Sequence, residues 1–303
     1  MTLRLGVLSR NREFFPTAQL LSELNQMNDA SGVYLSPQFV TPLISPSTTD
    51  ALFATQSLKS LSGIIPRIGR SQTEIGILCL QQFELMEIPT TLSSQALFIA
   101  RDKFRCYQVL SRITGLKFPK TVLVSNSYMF EELITPFKFP IVIKIPNATQ
   151  GVGTILATNR RVAQEIVEAL FLRYNAPIMI QEYLRKNPFN SKLSSEDIRV
   201  LVIGDRVIGA MRRTAPKGEW RTNYAQGAVC NPYQLEPETQ ELIFQVVELI
   251  GIEVAGIDLF PTEKGVYVLE VNACPGWKAF EEAHPKICVA KNIIEYIIAK
   301  IRR

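Results

Sequence analysis

Histidine is nearly missing from this sequence: His284 is the only one, set in EEAHPK directly before a proline. A hydrolase triad would have to use it, and the setting reads instead as an ordinary exposed or capping histidine. Paired cysteines are missing too. Cys79, Cys106, Cys230, Cys274 and Cys288 are far apart, odd in number and never spaced Cys-x-x-Cys. That excludes a zinc or disulfide framework and implies reduced thiols in a cytoplasmic protein. No run of about twenty apolar residues occurs, so no membrane-spanning helix is expected. Arg4, Arg10 and Arg12 lie where a signal peptide would be apolar. A nicotinamide dehydrogenase needs a Gly-x-Gly-x-x-Gly turn after the first strand, and LGVLSRNREFF has one glycine. There is no internal repeat. The net charge of +5 is dispersed among 28 acidic residues and forms no stripe, which argues against direct nucleic-acid binding but leaves room for a basic cleft.

What is present is an ordinary globular composition, 47% hydrophobic over 303 residues, enough for two or three small domains. Short apolar strands (Leu3–Ser9 and Gly63–Pro66) alternate with helical spacing at 13–27 and 71–86, the pattern of a parallel α/β layer. Residues 36–50, rich in Pro, Ser and Thr, read as a loop over it. A second block opens with a helix from Arg101 to Ile113. It continues with strands at 121–124, 141–145, 154–157 and 177–181 and helices at 128–134 and 160–174. The polar stretch Arg185 to Glu196 reads as an exposed loop. Beyond it, two strands flank Gly204-Asp205, a hairpin turn signal. A helix at 238–250, a second hairpin and a helix at 287–301 follow. The fold class expected is α/β followed by α+β, with boundaries at 1–94, 95–184 and 185–303.

The most informative segment is AGIDLFPTEKGVYVLEVNACPG, Ala255 to Gly276. A hairpin centred on Lys264 sets Asp258 opposite Glu270, and period two puts Asn272 on the face of Glu270. Facing carboxylates repel unless a cation lies between them or one is protonated. The alternative is two acidic residues on a solvated sheet face, and the apolar neighbours Ile257, Leu259, Val268, Leu269 and Val271 count against it. An all-oxygen set suits Mg²⁺ or Mn²⁺. Removing either carboxylate should then cost little stability, or add some, when no ion is bound. In KIPNATQGVGT a buried strand ends at Lys144 and runs into a loop with Gly151 and Gly153, a cradle for an anion or simply a structural turn. Neither a Walker motif nor a dinucleotide fingerprint is completed there. PIMIQEYLR ends a strand at Gln181, Glu182 and Tyr183. Arg199, Arg212, Arg213, Lys217 and Arg221 form a basic group that suits phosphates or a carboxylate, or are exposed hairpin charges.

ARDK, VIK with TQGVG, IQEY, DIR, RTN, GIDL and LEVNACPG occur in an order and spacing that resembles the ATP-grasp ligases. With PRIG near Arg67, the likeness is to RimK-type α-L-glutamate ligases and runs over nearly the whole chain. It implies an ATP-grasp fold with an N-terminal Rossmann-like pre-ATP-grasp domain, and ATP between the central and C-terminal blocks. By the resemblance, Lys103 and Lys144 contact the phosphates under the loop carrying Gly151. Gln181, Glu182 and Tyr183 line the adenine and ribose end, with Asp197 nearby. Arg221, Thr222 and Asn223 reach the phosphates and the reacting carboxylate, and Asp258, Glu270 and Asn272 bind two Mg²⁺ or Mn²⁺ ions. Arg213 and Arg221 are the expected stabilisers of the tetrahedral oxyanion. The implied partners are L-glutamate and a carboxylate-bearing acceptor: a protein, peptide, coenzyme tail or carrier protein. A homo-oligomer is left open, and a non-catalytic nucleotide-binding module is disfavoured by the intact charged set. The chain departs from the family pattern in a longer loop before Asp197, in Trp277 where a smaller residue is usual, and in GEWRTNYAQGA, which lacks a second basic residue and a glycine pair after RTN.

Overall fold

A computed structural model of the chain describes residues 2–145, 154–174, 176–184, 196–216, 222, 224 and 227–303. The chain opens with β1 (Leu3–Ser9), α1 (Phe15–Asn25) and β2 (Ala30–Leu35). Three short strands follow, β3 (Val40–Ser45), β4 (Thr48–Phe53) and β5 (Gln56–Ser57), and then β6 (Gly63–Arg67) and α2 (Thr73–Leu85). β2, β1 and β6 pair in parallel as expected, with β1 in the middle. β1 is buried on both faces. Leu5 and Val7 meet α1 through Leu20 and Leu24, whereas Leu8 packs with Leu80 and Phe83 of α2. A doubly covered parallel strand needs such a continuous apolar run.

The loop expected at 36–50 is instead an antiparallel meander of β3, β4 and β5. Its Thr, Val and Ile residues favour a pleated surface, and Pro42 is tolerated because β3 pairs on one side only. The helix expected from Arg101 to Ile113 is also corrected. α3 (Ser94–Arg101) and α4 (Lys103–Leu110) are separate helices broken at Asp102, which is extended (φ −106°, ψ 115°) and caps α4 by accepting from Arg105 N–H. The break makes Lys103 the first residue of a helix.

The middle layer is antiparallel: β7 (Thr121–Val124), β8 (Ile141–Lys144), β9 (Thr154–Ala157) and β10 (Ile178–Glu182), in the order β7-β10-β8-β9. α5 (Phe130–Ile134) and α6 (Arg160–Tyr174) join it in a core of Val124, Phe130, Ile141, Ile143, Val167 and Ile180.

The last layer is a five-stranded sheet in the order β13-β12-β11-β14-β15. Its strands are β11 (Glu196–Ile203), β12 (Arg206–Thr214), β13 (Val229–Tyr233), β14 (Val254–Thr262) and β15 (Gly265–Asn272). α7 (Pro237–Ile250) precedes β14, and α8 (Lys278–Ala283) and α9 (Val289–Ile301) end the chain. β13 and α8 are additions to the sequence reading.

One face of this sheet, with Ile198, Val200, Ile257 and Leu259, packs on α3, α4 and α7. The other face divides along its length. Leu201, Ile203, Met211 and Val254 are covered by α8, α9 and the first layer. Continuing the same alternation, Asp197, Arg199, Arg213 and Asp258 occupy the remainder of that face. Trp277, fully buried, seals the junction by donating its indole N–H to Gln19 of α1 at 2.5 Å. It is a packing residue between layers. His284 stacks on Phe280 with ring centroids 4.4 Å apart, in keeping with an ordinary structural histidine.

The turn between β11 and β12 closes at Ile203↔Arg206, with Gly204 left-handed at φ +60°. A Cβ there would lie 2.4 Å from the Tyr296 ring. Gly204→Ala should therefore lower stability by about 2 kcal/mol, from strain and overpacking together. Denaturant unfolding measures this, and an unchanged midpoint would show that Tyr296 moves aside freely.

Candidate functional site

The hairpin of β14 and β15 sets the site. Its turn lies at Glu263-Lys264 between Thr262 and Gly265, so simple pairing would place Asp258 opposite Leu269. A bulge intervenes: Leu259 pairs with Val268, the register shifts, and Asp258 pairs with Glu270. The expected facing is present, but the bulge produces it and not a turn centred on Lys264. Val268 and Val271 are both in the core, three residues apart, whereas strict alternation would have sent Glu270 to the side of Val268. The bulged residue is held from behind, where Tyr107 of α4 donates its hydroxyl proton to the Leu269 carbonyl at 2.6 Å.

Each carboxylate has a cationic partner. Lys103 Nζ is 2.6 Å from Glu270 Oε1. Arg199 grips Asp258 with both arms, Nε to Oδ1 and Nη2 to Oδ2 at 2.9 Å. Arg213 bridges two acids, with Nη2 at 3.1 Å from Asp258 Oδ1 and bidentate contacts of 2.6 Å to Asp197. Thr222 completes the cluster by donating to Asp197 Oδ2. Burial acts to raise the pKa values of both Asp258 and Glu270. The arginines hold Asp258 below the usual carboxylate range, and Lys103 does the same for Glu270. Both are ionised at neutral pH. Burial opposes charge on Arg213, but Asp258 and Asp197 more than compensate, so its guanidinium is held above its ordinary value.

A second lysine arrives from the middle layer. Lys144, at the end of β8, donates to Gln181 Oε1 at 2.5 Å. The Gln181 amide nitrogen reaches Thr121 Oγ1 at 2.9 Å and the Tyr107 oxygen at 3.2 Å. Burial lowers the Lys144 pKa to about 8, assisted by the charge on Lys103.

The structure thus brings Lys103, Asp258 and Glu270 together with Arg199, Arg213 and Asp197, and links Lys144 and Gln181 to them through Tyr107. Gln181 is buried with its side chain turned into this network, Asp197 is spent on Arg213 and Thr222, and Glu182 accepts from Lys120 N–H at 2.8 Å. Asn272 pairs opposite Gly256 and donates to its carbonyl at 3.3 Å. Gly151, Arg221 and Asn223 lie outside the described residues. Arg212 stands apart, over the ring of Tyr233 at 5.1 Å. Sequence reading missed Tyr107, whose only trace is its place one helical turn after Lys103 in ARDKFRCY.

Asp258, Glu270 and the Asn272 amide oxygen form an all-oxygen donor set on one strand pair, suited to a hard divalent cation. Among the described residues no group of three or more His, Cys, Asp or Glu converges. An ion here therefore needs further oxygens from phosphate or water, as Mg²⁺ commonly does. The residues fit such an ion in donor chemistry, two ionised acids and an amide; Glu270, held only by Lys103, is the freer of the acids, whereas both Asp258 oxygens are engaged by arginine.

The fold is that of the ATP-grasp enzymes, and with it comes the class of ATP-dependent carboxylate–amine ligases. A RimK-like ATP-grasp domain matches residues 100–297 and a RimK pre-ATP-grasp domain residues 3–97. The chain belongs to the RimK-like ATP-grasp family. It is 34% identical over 298 residues to a "Probable alpha-L-glutamate ligase" of Chromohalobacter salexigens, covering 97% of this chain and 95% of that protein. A protein of the same name from Aliivibrio fischeri is 35% identical over 302 residues, with the same coverage of each. Among solved structures, macrocyclase MdnC from Microcystis aeruginosa, bound with precursor peptide MdnA, aligns with a TM-score of 0.74 at 15% identity. The alignment covers 98% of this chain and all of that one. The ATP-grasp ligase PsnB complexed with a precursor variant, Mg and ADP gives 0.70 at 16%, covering 99% and 98%. No helix among the described residues is long and apolar enough to cross a membrane.

The ion pairs argue against the expectation that removing either carboxylate costs little stability when no ion is bound. In Asp258→Asn, Arg199 loses its charged partner in a nearly buried setting, so stability without nucleotide or metal should fall by about 2–4 kcal/mol. Denaturant unfolding decides it: a rise in stability would mean that repulsion between the acids dominates.

Lys144 makes a pH prediction. The unfolded chain keeps this proton to the ordinary lysine value of 10.5, and the folded protein releases it at about 8. Between these values the unfolded state binds more protons, so folding stability rises with pH there. Comparison with Lys144→Met between pH 7.5 and 9.5 should show wild type gaining on the variant, by about 2 kcal/mol. Parallel curves would mean that the amine stays charged.

Proposed function

We propose that the protein activates the carboxylate of an acceptor by transferring the γ-phosphoryl group of ATP to it, with ADP as the leaving group, and that the α-amine of L-glutamate attacks the resulting acyl phosphate and expels phosphate. The products are an amide, ADP and phosphate. A carboxylate cannot expel oxide, whereas an acyl phosphate expels phosphate, so the chemistry needs charge neutralisation and positioning above all. The observation that carries this reading is the convergence of Lys103, Glu270 and Asp258 on one strand pair, linked by Tyr107 and Gln181 to Lys144.

In this reading Lys103 and Lys144 neutralise the triphosphate, and the loop with Gly151 covers it and excludes water. Glu182 and Tyr183 border the base and ribose, while Gln181 orients Lys144. Asp258, Glu270 and Asn272 would hold Mg²⁺ or Mn²⁺, two ions in all, which would screen the phosphate charges. Arg221, Thr222 and Asn223 attend the phosphates and the reacting carboxylate. Asp197 fixes Arg213, which with Arg221 faces the oxyanion that forms on attack. The chain divides for this purpose into 1–94, 95–184 and 185–303. The relatives' names support glutamate as the amine, and the peptide in the MdnC structure supports a protein or peptide acceptor.

An ADP-release screen over amino acids and acceptors, with mass spectrometry of products, identifies the pair. Acceptor labelled with ¹⁸O in its carboxylate should then pass one label to the released phosphate. Pyrophosphate release, or label found only from glutamate, overturns the mechanism. Faster turnover with another amino acid overturns the choice of amine.

A further inference from the structure

Two arginines, Arg67 and Arg101, meet where the first block joins the second, and the proposed ATP chemistry uses neither. Arg67 ends β6 and is 9% exposed. Its Nη2 donates to the Pro275 carbonyl at 2.5 Å, its guanidinium lies 4.5 Å from the Trp277 ring centroid, and its buried Nε has no hydrogen-bond partner among the described residues. Arg101 ends α3. Its Nη2 donates to the Ile68 carbonyl at 2.7 Å, and its Nε is likewise buried and unpartnered among the described residues. Burial disfavours the charge on Arg67, and Arg101 lies close enough to add to this. Neither Arg67 nor Arg101 meets a carboxylate among the described residues.

Mutually repelling guanidiniums with buried, unmet donors are costly unless an anion joins them. A clamp on the Pro275 carbonyl needs one neutral donor, so it does not account for the group. The neighbouring glycines point the same way. Gly69 has an ordinary extended backbone (φ −76°, ψ 160°), and a Cβ on it would meet no described residue within 4 Å. Gly276 likewise borders open space and lies outside the left-handed region. Neither backbone strain nor crowding requires glycine at these positions. Among the described residues, each leaves open space beside the contact of Arg67 with Pro275.

We infer that Arg67, Arg101 and the space beside Gly69 and Gly276 form a subsite for a substrate carboxylate that is not itself phosphorylated. This rests on the proposed ligase reading and deepens it. A carboxylate held by the planar guanidinium fork has its lone pairs engaged and is a poor nucleophile toward phosphorus. The group therefore serves recognition, either of a glutamate carboxylate or of a second acidic group on the acceptor.

Glutarate, a dicarboxylate without an amine, is the direct probe. It should raise the melting temperature of the wild-type protein, with glutaramide as the uncharged control. In Gly69→Ile, whose side chain the extended backbone accepts, and in Arg101→Gln, the glutarate response should be lost while the ATP Kd stays within about twofold. In turnover assays the same variants should raise one KM by roughly 10- to 100-fold, the cost of a charge-assisted hydrogen bond. A rise in the glutamate KM assigns the carboxylate to glutamate, and a rise in the acceptor KM assigns it to the acceptor. No glutarate response in wild type, or an equal response in both variants, overturns the subsite. So does competition by inorganic phosphate together with a weakened ATP Kd in Gly69→Ile, which would make it a phosphate site. A glutarate response that behaves as expected in a protein that ligates no amino acid leaves the carboxylate subsite standing and removes the ligase reading.

Discussion

The bulge at Leu269 is the constraint on which the site depends. A strand alternates its faces without exception unless a residue is inserted. Val268 must face the core, since it packs with Leu259 and Val271. Without the extra residue Glu270 would share that apolar side, and Asp258 would face Leu269 across the hairpin. The bulge moves Glu270 out of the core and onto Asp258. An inserted residue interrupts the ladder locally, and the Tyr107 hydroxyl donates to the Leu269 carbonyl there. Lys117 steadies the outer part of the hairpin, accepting from Val268 N–H through its carbonyl at 2.8 Å and reaching the Lys264 carbonyl with its ammonium. Tyr107 and Lys117 come from the helical segment and its exit, outside the five-stranded sheet. The metal-type face is therefore built by two blocks of the chain acting together.

The charges follow from that geometry. Two ionised acids brought face to face in a poorly solvated place need compensation, and the compensation is unequal. Asp258 is held by a bidentate arginine and shares a second, an arrangement of fixed planar geometry. Glu270 has a single ammonium on a flexible stem. A cation or phosphate entering the site can exchange with Lys103 at small steric cost, whereas Arg199 and Arg213 are locked by Asp258 and Asp197. The pair thus has a rigid half and an adaptable half, with the adaptable half facing the middle layer.

How much of this was legible in the sequence differs by element. The parallel first layer could be read because its strands are apolar on both faces, and the Gly204-Asp205 hairpin because its turn chemistry is local. The facing of Asp258 and Glu270 was found from a turn placed half a residue off, an error that the bulge cancels. Its trace is the adjacent apolar pair Val268-Leu269, which breaks alternation. The meander at 40–57 was read as a loop because Pro and Ser mask the β-branched residues between them. The break at Asp102 was missed because the apolar spacing runs through it, although Asp before Lys is an N-cap signal. Trp277 shows another limit. Its burial depends on Gln19 and Arg67, more than two hundred residues away in sequence. The orphaned donors of Arg67 and Arg101 are likewise a tertiary fact, since no local pattern tells a paired arginine from an unpaired one.

The same reasoning explains why Lys144 is a poor place for a permanent charge and a good place for a conditional one. Its ammonium is desolvated, near the charge of Lys103, and its one described partner is the neutral oxygen of Gln181. Gln181 can serve that oxygen to Lys144 because its amide nitrogen is committed to Thr121 and Tyr107. Tyr107 in turn is oriented by the bulged carbonyl beside Glu270. Each bond fixes the direction of the next, so the position of Lys144 in one layer and that of Glu270 in another are set by one chain of hydrogen bonds through α4. A polyanion arriving between the layers supplies the negative charge that Lys144 lacks, favours its protonated form and competes for Lys103. It meets a scaffold whose geometry is already determined, which is the condition for electrostatic stabilisation without reorganisation at the moment of reaction.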